Sequence, residues 1–337
     1  MNENILEVSG LKTHFFGDKG SVPAVDGVDF RVRKGEILGI VGESGSGKSV
    51  TSLSIMGLLR DTSGKIVAGS VKFDGEELTG FTEKQMRRIR GNDMAMIFQE
   101  PMTSLNPVKK IGEQIQEAVL LHLKYNKKLA RQHTINMLKQ VGIPRADEVI
   151  FEYPHQLSGG MRQRVMIAMA MSCNPKFLIA DEPTTALDVT IQAQILELMK
   201  GLQKEENTSI LLITHDLGVV AEMCSRVVVM YAGKVVEEAD VYELFANPKH
   251  PYTKGLINSV PKLRQGSKRL DSIPGNVPDP ANMPSGCKFA PRCAHVMDIC
   301  HSKDPALELL DDEHSCRCWL YQNKSESKEV EHGKAFS

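Results

Sequence analysis

The octet Gly42-Glu43-Ser44-Gly45-Ser46-Gly47-Lys48-Ser49 has the spacing G-x-x-x-x-G-K-[ST]. Its glycines allow a backbone that wraps an anion with N–H groups turned inward. In such a loop Lys48 reaches the β- and γ-phosphates of a nucleotide and Ser49 ligates its Mg²⁺. Gly42, Gly45 and Gly47 are not spaced G-x-G-x-x-G, so a dinucleotide turn is a poorer fit. A second group ends the apolar run Phe177-Leu178-Ile179-Ala180 with Asp181-Glu182. A strand of that kind delivers carboxylates to the ligand-binding edge of a sheet. Asp181 then suits the Mg²⁺ shell, and Glu182 suits the polarisation of an attacking water. Gly-rich turns and acidic strand ends are each common without a ligand; the pairing is what carries chemistry.

These residues need a scaffold. Gly35–Val41 reads as a buried strand leading into the loop, and Leu53–Leu59 as a helix after it. The stretch Glu83–Lys139 is mostly helical in pattern. Phe177–Ala180 and Ile210–Thr214 read as two more strands, separated by helical Ile191–Gln203. Strands alternating with helices predict an α/β fold with a largely parallel sheet. The character changes near Asn247-Pro248-Lys249-His250-Pro251, and Pro and Gly are frequent from Ser272 to Cys293. Residues 1–240 are therefore expected to form the nucleotide-binding domain, 241–321 an appended irregular region, and 322–337 a polar, disordered tail. No internal repeat is present.

Composition narrows the class. The 337 residues carry 41 Lys and Arg against 42 Asp and Glu, a formal net charge of −1. That balance argues against a general nucleic-acid coat protein, and no nucleic-acid partner is expected. Apolar residues are 41% and charged residues 25%, ordinary for a folded soluble protein. No stretch approaches the roughly 18 apolar residues that span a bilayer. Met1-Asn2-Glu3-Asn4 lacks the start of a secretory signal, so a cytoplasmic site is expected.

Leu157-Ser158-Gly159-Gly160-Met161 is the decisive motif, and with it the chain resembles the ATP-binding cassette (ABC) ATPases. Further family elements follow in order: Gln99 after apolar Met94–Phe98 matches the Q-loop, Ala186-Leu187-Asp188 the D-loop, and His215 after Ile210–Thr214 the switch histidine. Phe15 or Phe16 matches the aromatic that stacks on adenine, with Phe15 preferred. The resemblance spans about Leu6–Lys234. It implies an ABC-type P-loop NTPase fold: a RecA-like core, an antiparallel β subdomain and a helical signature subdomain at about 100–172. Gln99-Glu100-Pro101-Met102-Thr103-Ser104-Leu105-Asn106-Pro107, His250-Pro251-Tyr252-Thr253 and Gly286-Cys287-Lys288-Phe289-Ala290-Pro291-Arg292-Cys293 are similar to the oligopeptide/dipeptide (and nickel) importer subfamily, most of all to its D-type ATPase subunit.

That resemblance implies a head-to-tail dimer with a second ABC ATPase, two ATP molecules lying between phosphate and signature loops. The signature glycines precede a predicted helix, Arg162–Ser172, so Ser158 and the N–H groups of Gly159 and Gly160 suit a γ-phosphate. Two membrane permease subunits and an extracellular peptide-binding protein complete the implied complex, placing the chain peripherally on the cytoplasmic face of the cell membrane. ATP and Mg²⁺ are the implied ligands: Phe15, the octet, Gln99, Asp181 and Asp188 bind, Ser49, Gln99 and Asp181 face the metal, and Glu182, His215 and Gln99 act in hydrolysis. A soluble ABC ATPase of DNA repair or translation is a poorer fit, because the chain has neither a long coiled-coil insertion nor a second cassette. A redox or regulatory module in which ATP only gates a cysteine region is the alternative from another class.

Five of the seven cysteines fall between Cys287 and Cys318. Their number is odd and a reducing compartment is expected, so disulfides are disfavoured. Four thiolates suit a [4Fe–4S] cluster or a structural Zn²⁺. The wide spacing of Cys287, Cys293 and Cys300 favours the cluster, and some peptide-importer ATPases with a similar pattern carry one. Cys316 and Cys318 compete for the fourth place; the family pattern puts Cys318 there. Cys173 and Cys224 read as packing residues.

Overall fold

Twelve strands organise the described residues: β1 (Asn4–Gly17), β2 (Gly20–Arg33), β3 (Ile37–Val41), β4 (Gly64–Phe73), β5 (Glu76–Glu77), β6 (Met94–Ile97), β7 (Phe177–Asp181), β8 (Ser209–Ile213), β9 (Arg226–Tyr231), β10 (Lys234–Asp240), β11 (Glu308–Asp311) and β12 (His314–Cys316). The computed structural model describes residues 3–18, 20–99, 104–185, 187–259, 273–311 and 313–322. Glu100 to Thr103, Ala186 and the tail from Asn323 lie outside the described residues.

The larger sheet has the order β11-β12-β10-β9-β3-β8-β7-β6. Its centre is parallel: β3 pairs with β8 and β9, and β7 with β6 and β8. β3, β7, β8 and β9 are buried at every position, as strands covered on both faces must be. Alternation sorts their side chains. Leu38, Ile40, Ile179, Leu211 and Ile213 face a core shared with β1, β2 and β4, while Ile37, Leu178, Ala180, Ile210 and Leu212 face the core under the helices. The second sheet, order β2-β1-β4-β5, is antiparallel and lies on the first of those faces.

Four helices, Ile111–His122, Lys127–Gln140, Ala146–Val149 and Gly159–Met171, form the helical part after β6. Side-chain caps start the long ones where the sequence has Asn126 and Ser158. These elements match the expected ABC cassette: an α/β core, an antiparallel β sheet and a helical part.

Four local expectations change. The helix expected at Leu53–Leu59 is instead Lys48–Ile55. It starts directly behind the left-handed Gly47 and ends before Gly57, whose φ of 63° stops it, so Leu58 and Leu59 fall in the following turn. The helical stretch Glu83–Lys139 is interrupted by β6, which pairs with β7. The signature helix starts at Gly159, because the Ser158 hydroxyl accepts a hydrogen bond from the Met161 N–H and caps it. The C-terminal region also holds regular structure: hairpin β11–β12 extends the main sheet through antiparallel pairing of β12 with β10. No helix among the described residues is long and apolar enough to cross a membrane.

Candidate functional site

The parallel strands converge their carboxyl ends on one edge. β3 delivers the phosphate loop, β6 delivers Gln99, β7 ends in Asp181, and β8 leads to His215. Ligands in open α/β sheets bind at that edge. The loop is packed closely from behind. A Cβ at Gly42 would run into the Met230 carbonyl, and one at Gly47 would come within 2.6 Å of the Ala24 carbonyl. The Gly233 N–H also donates to the Ser46 carbonyl. Gly45, by contrast, faces open space.

Lys48 is buried, and its Nζ donates to the carbonyls of Gly42 at 2.7 Å and Glu43 at 3.0 Å. Burial pushes its ammonium below the ordinary lysine pKa. The Ser49 hydroxyl donates to Asp181 Oδ1 at 3.2 Å. Burial also pushes the Asp181 carboxyl up, against the hydrogen bond from Ser49. Each group thus carries a charge for which the protein supplies too little compensation, a condition that a Mg²⁺–phosphate pair relieves. The hydroxyl and carboxylate oxygens form a hard-ligand set of the kind Mg²⁺ takes.

Glu182 stands at φ 48°, a left-handed backbone uncommon for a non-glycine residue. Its Oε2 accepts from Gln99 Nε2 at 3.0 Å and from the Thr185 hydroxyl at 3.0 Å, and its Oε1 lies 3.2 Å from His215 Nδ1. Burial works to raise its pKa, but the contacts with His215 and Thr185 outweigh it, and the carboxyl lies below the usual range. The side chain stays ionised and fit to accept a proton. Three expected residues, Gln99, Glu182 and His215, therefore meet directly. Two others escaped sequence reading: Thr185, and Gln163, whose Nε2 donates to the Pro183 carbonyl and holds the turn after Glu182. Neither has a local spacing that marks it.

Other expected residues stand apart. The Ser158 hydroxyl is spent on its own helix cap, Gly159 faces open space, and Gly160 packs on Ile191. Asp188 caps the next helix by accepting from the Ile191 N–H. Phe15 lies over Gly64 on the neighbouring strand, and Phe16 is half-exposed. Both oxygens of the Glu43 carboxylate are engaged by Arg292. Ser44 carries no contact that separates it from its neighbours.

Cys287, Cys293, Cys300 and Cys318 line one small hollow with Phe289 and Trp319. Cys316 is elsewhere, buried on β12. Burial pushes the thiols of Cys287 and Cys318 up to about 11. No three His, Cys, Asp or Glu among the described residues stand as a ready ligand set for a metal ion. Cys173 and Cys224 are buried in packing positions.

Residues 25–185 match the ABC transporter family model, and residues 236–300 match the model of the oligopeptide/dipeptide transporter C-terminal region. The oligopeptide transport ATP-binding protein AppD of Bacillus subtilis is 59% identical over 95% of this chain and 98% of its own length. The dipeptide transport ATP-binding protein DppD of Escherichia coli is 51% identical over 93% of this chain and 96% of its own. Among solved structures, the ATP-binding cassette MJ0796, a dimer in a post-hydrolysis state with ADP and phosphate, superposes with a TM-score of 0.62 at 28% identity. That match covers 70% of this chain and 98% of the other.

Proposed function

We propose a division of labour among the residues described above, from the premise that the chain belongs to the ABC transporter family, in its oligopeptide/dipeptide branch. It is the ATP-binding and ATP-hydrolysing subunit of a peptide importer. Lys48 and the inward N–H groups of Gly45 to Ser49 hold the β- and γ-phosphates. Ser49 and Asp181, with Gln99, hold Mg²⁺, which neutralises charge on the phosphates. Glu182 accepts the proton of the attacking water, and His215 and Gln99 fix its carboxylate and sense the γ-phosphate. The meeting of Gln99, Thr185 and His215 on the strained Glu182 is the observation that carries this reading.

Ser158 and Gly159 belong to the same reading through a partner. Gly159 faces open space at a helix N-terminus, which supports its assignment as a contact to the γ-phosphate bound by a second, related ATPase. The subunit is the D-type one, in a head-to-tail pair docked on two permeases at the cytoplasmic membrane face, with an extracellular peptide-binding protein. Residues 1–240 carry the nucleotide and 241–321 form the importer-specific region. The decisive experiment reconstitutes the complex in vesicles and follows peptide-stimulated ATP hydrolysis and peptide uptake. Lys48→Ala abolishes both on this reading. Normal uptake with Lys48→Ala rejects the subunit as the motor, and stimulation by nickel instead of peptide rejects the cargo.

The same reading assigns a [4Fe–4S] cluster to Cys287, Cys293, Cys300 and Cys318, which line one hollow although their thiols do not stand as a ready ligand set, and leaves Cys316, on β12, out of it. Bound there, a cluster supplies a covalent tie among three chain segments and a one-electron redox couple. The high thiol pKa values mean that loading it must displace protons. Anaerobic purification with iron, sulfide and zinc analysis decides the matter: a colourless, metal-free chain rejects the cluster, and stoichiometric zinc replaces it.

A further inference from the structure

The first variable residue of the phosphate loop is held from the C-terminal region. Arg292 lies immediately before Cys293, and its side chain is 4% exposed. Its Nη1 donates to Glu43 Oε2 at 2.7 Å and its Nη2 to Glu43 Oε1 at 3.1 Å. This is the two-pronged arrangement that fixes a carboxylate in orientation as well as position. The guanidinium is itself oriented. Its Nε donates to the Pro274 carbonyl at 2.9 Å, and its Cζ lies 5.8 Å from the Tyr231 ring centre and 6.0 Å from that of Phe289. Phe289 lines the cysteine hollow.

A second hold comes from Tyr252, fully buried, whose hydroxyl accepts the Glu43 N–H at 2.8 Å. Tyr252 packs on Tyr231 and Phe289, with ring centres 4.7 and 5.5 Å away. The third hold is Lys48, on the Glu43 carbonyl. These three are not equivalent. In the function proposed above Lys48 turns to the phosphates, which would free that carbonyl and leave Arg292 and Tyr252 as the remaining holds.

We propose that Arg292 is a positioning residue for nucleotide binding: through Glu43 it holds the phosphate loop in its phosphate-ready shape, so that the cysteine segment sets the affinity for ATP. This rests on the reading of Gly42–Ser49 as the ATP site. The physical reason is preorganisation. A loop already ordered by its surroundings does not draw its ordering cost from ligand binding. The region that distinguishes the importer branch thereby acts on the most general part of the cassette.

The test measures Mg-ATP affinity of the full chain, and KM and kcat of the assembled transporter, for Arg292→Gln, Glu43→Gln and the double variant. Each single substitution raises Kd and KM about tenfold and leaves kcat at saturating ATP within about twofold. The double variant is no worse than either single one, about tenfold rather than a hundredfold. Arg292→Lys, which keeps the charge and loses the fork, falls between wild type and Arg292→Gln. Wild-type KM in Arg292→Gln overturns the proposal. So do multiplying effects in the double variant, or a loss confined to kcat, which a merely damaged fold would give. Should Arg292→Gln not fold, Glu43→Gln decides, since it leaves the bond of Arg292 to Pro274 in place; an unchanged KM there is equally fatal. Lys48→Ala separates the two readings. Unchanged ATP affinity in that variant removes the nucleotide site itself, whereas a defect there beside a normal Arg292→Gln removes only the positioning role.

Discussion

Two glutamates set the proposed catalytic edge against the C-terminal knot, the buried joint where β10 meets the segments of Lys249–His250 and His314. Glu182 and Glu237 both have carboxyl pKa values below the usual range, in each case because hydrogen bonds outweigh burial. Their surroundings differ. Glu182 sits on a strained backbone and is held by three side chains, those of Gln99, Thr185 and His215. Glu237, on β10, is completely buried. It accepts the main-chain N–H of Lys249 at 2.6 Å and of His250 at 2.9 Å, and His314 Nε2 lies 2.8 Å away. Main-chain donors cannot turn aside, so Glu237 is a fixed joint between β10 and the segments that pack on it. Side-chain donors can, so Glu182 is able to release its partners to a water or a phosphate. A lowered pKa alone does not separate function from structure; the kind of donor and the backbone strain do.

The comparison breaks most visibly at Glu182. Glu182→Gln keeps the shape and removes the proton acceptor, and kcat falls by about 10²–10⁴-fold with ATP affinity and melting temperature retained. Steady-state hydrolysis, nucleotide titration and a melting curve on one preparation check this. A lowered melting temperature would make Glu182 a structural joint like Glu237.

Glu237→Ala is expected to do the reverse. It leaves His314 and two amides buried without their acceptor, a loss of about 3–5 kcal/mol. Melting temperature drops by several degrees, while kcat of the protein still folded at low temperature stays near wild type. Selective loss of kcat would place Glu237 in the catalytic machinery and erase the contrast.

Much of the proposed catalytic edge is legible in the chain, because its motifs are set by local spacing and by the order in which they follow one another. Lys48 and Ser49 follow from one octet and Asp181 and Glu182 from one strand end, while Gln99 and His215, the latter two residues after β8, follow from the family resemblance. What escaped depends on contacts between distant positions. Arg292 meets Glu43 across 249 residues, and His314 meets Glu237 across 77. Thr185 and Gln163 belong to the edge by geometry alone. The start of the helix at Lys48 was hidden by apolar periodicity, since Leu58 and Leu59 continue the pattern beyond Gly57, where the backbone cannot follow. The pairing of β12 with β10 was hidden because a three-residue strand leaves almost no alternation to read.

The knot should also show itself in pH. His250 is fully buried, and burial pushes its ring down to about 4 from 6.5. Between those values the unfolded chain takes up a proton that the folded chain refuses. Stability is therefore complete above about pH 6.5 and declines as pH falls toward 4, by up to roughly 3 kcal/mol. Glu237 acts in the same direction at lower pH: its contribution is present above the unfolded carboxyl pKa and is lost as pH falls through its lower folded value. His250→Asn keeps an acceptor for the Tyr252 N–H, which His250 Nδ1 now takes at 3.0 Å, and removes the titration. Its melting temperature varies less than wild type between pH 6.5 and 4. An equally steep decline would assign the acid sensitivity to another group.

The finest test lies at Thr185, whose hydroxyl is one of the donors lowering the Glu182 pKa. Thr185→Ala removes a single hydrogen bond, worth about 0.5–1.5 kcal/mol, so kcat changes only a few-fold. Its sign is more informative than its size. With one donor gone, the Glu182 carboxyl rises toward the ordinary range, and the acidic limb of the pH profile of kcat moves to higher pH. Near neutrality the carboxylate is still ionised, so the loss of rate is concentrated at acid pH. A uniform loss across the profile would mean that Thr185 only shapes the turn after Pro183, as a residue of the C-terminal knot would. A shifted limb ties the side-chain donors of the edge to the proton acceptor itself, a link that the main-chain donors around Glu237 have no means to provide.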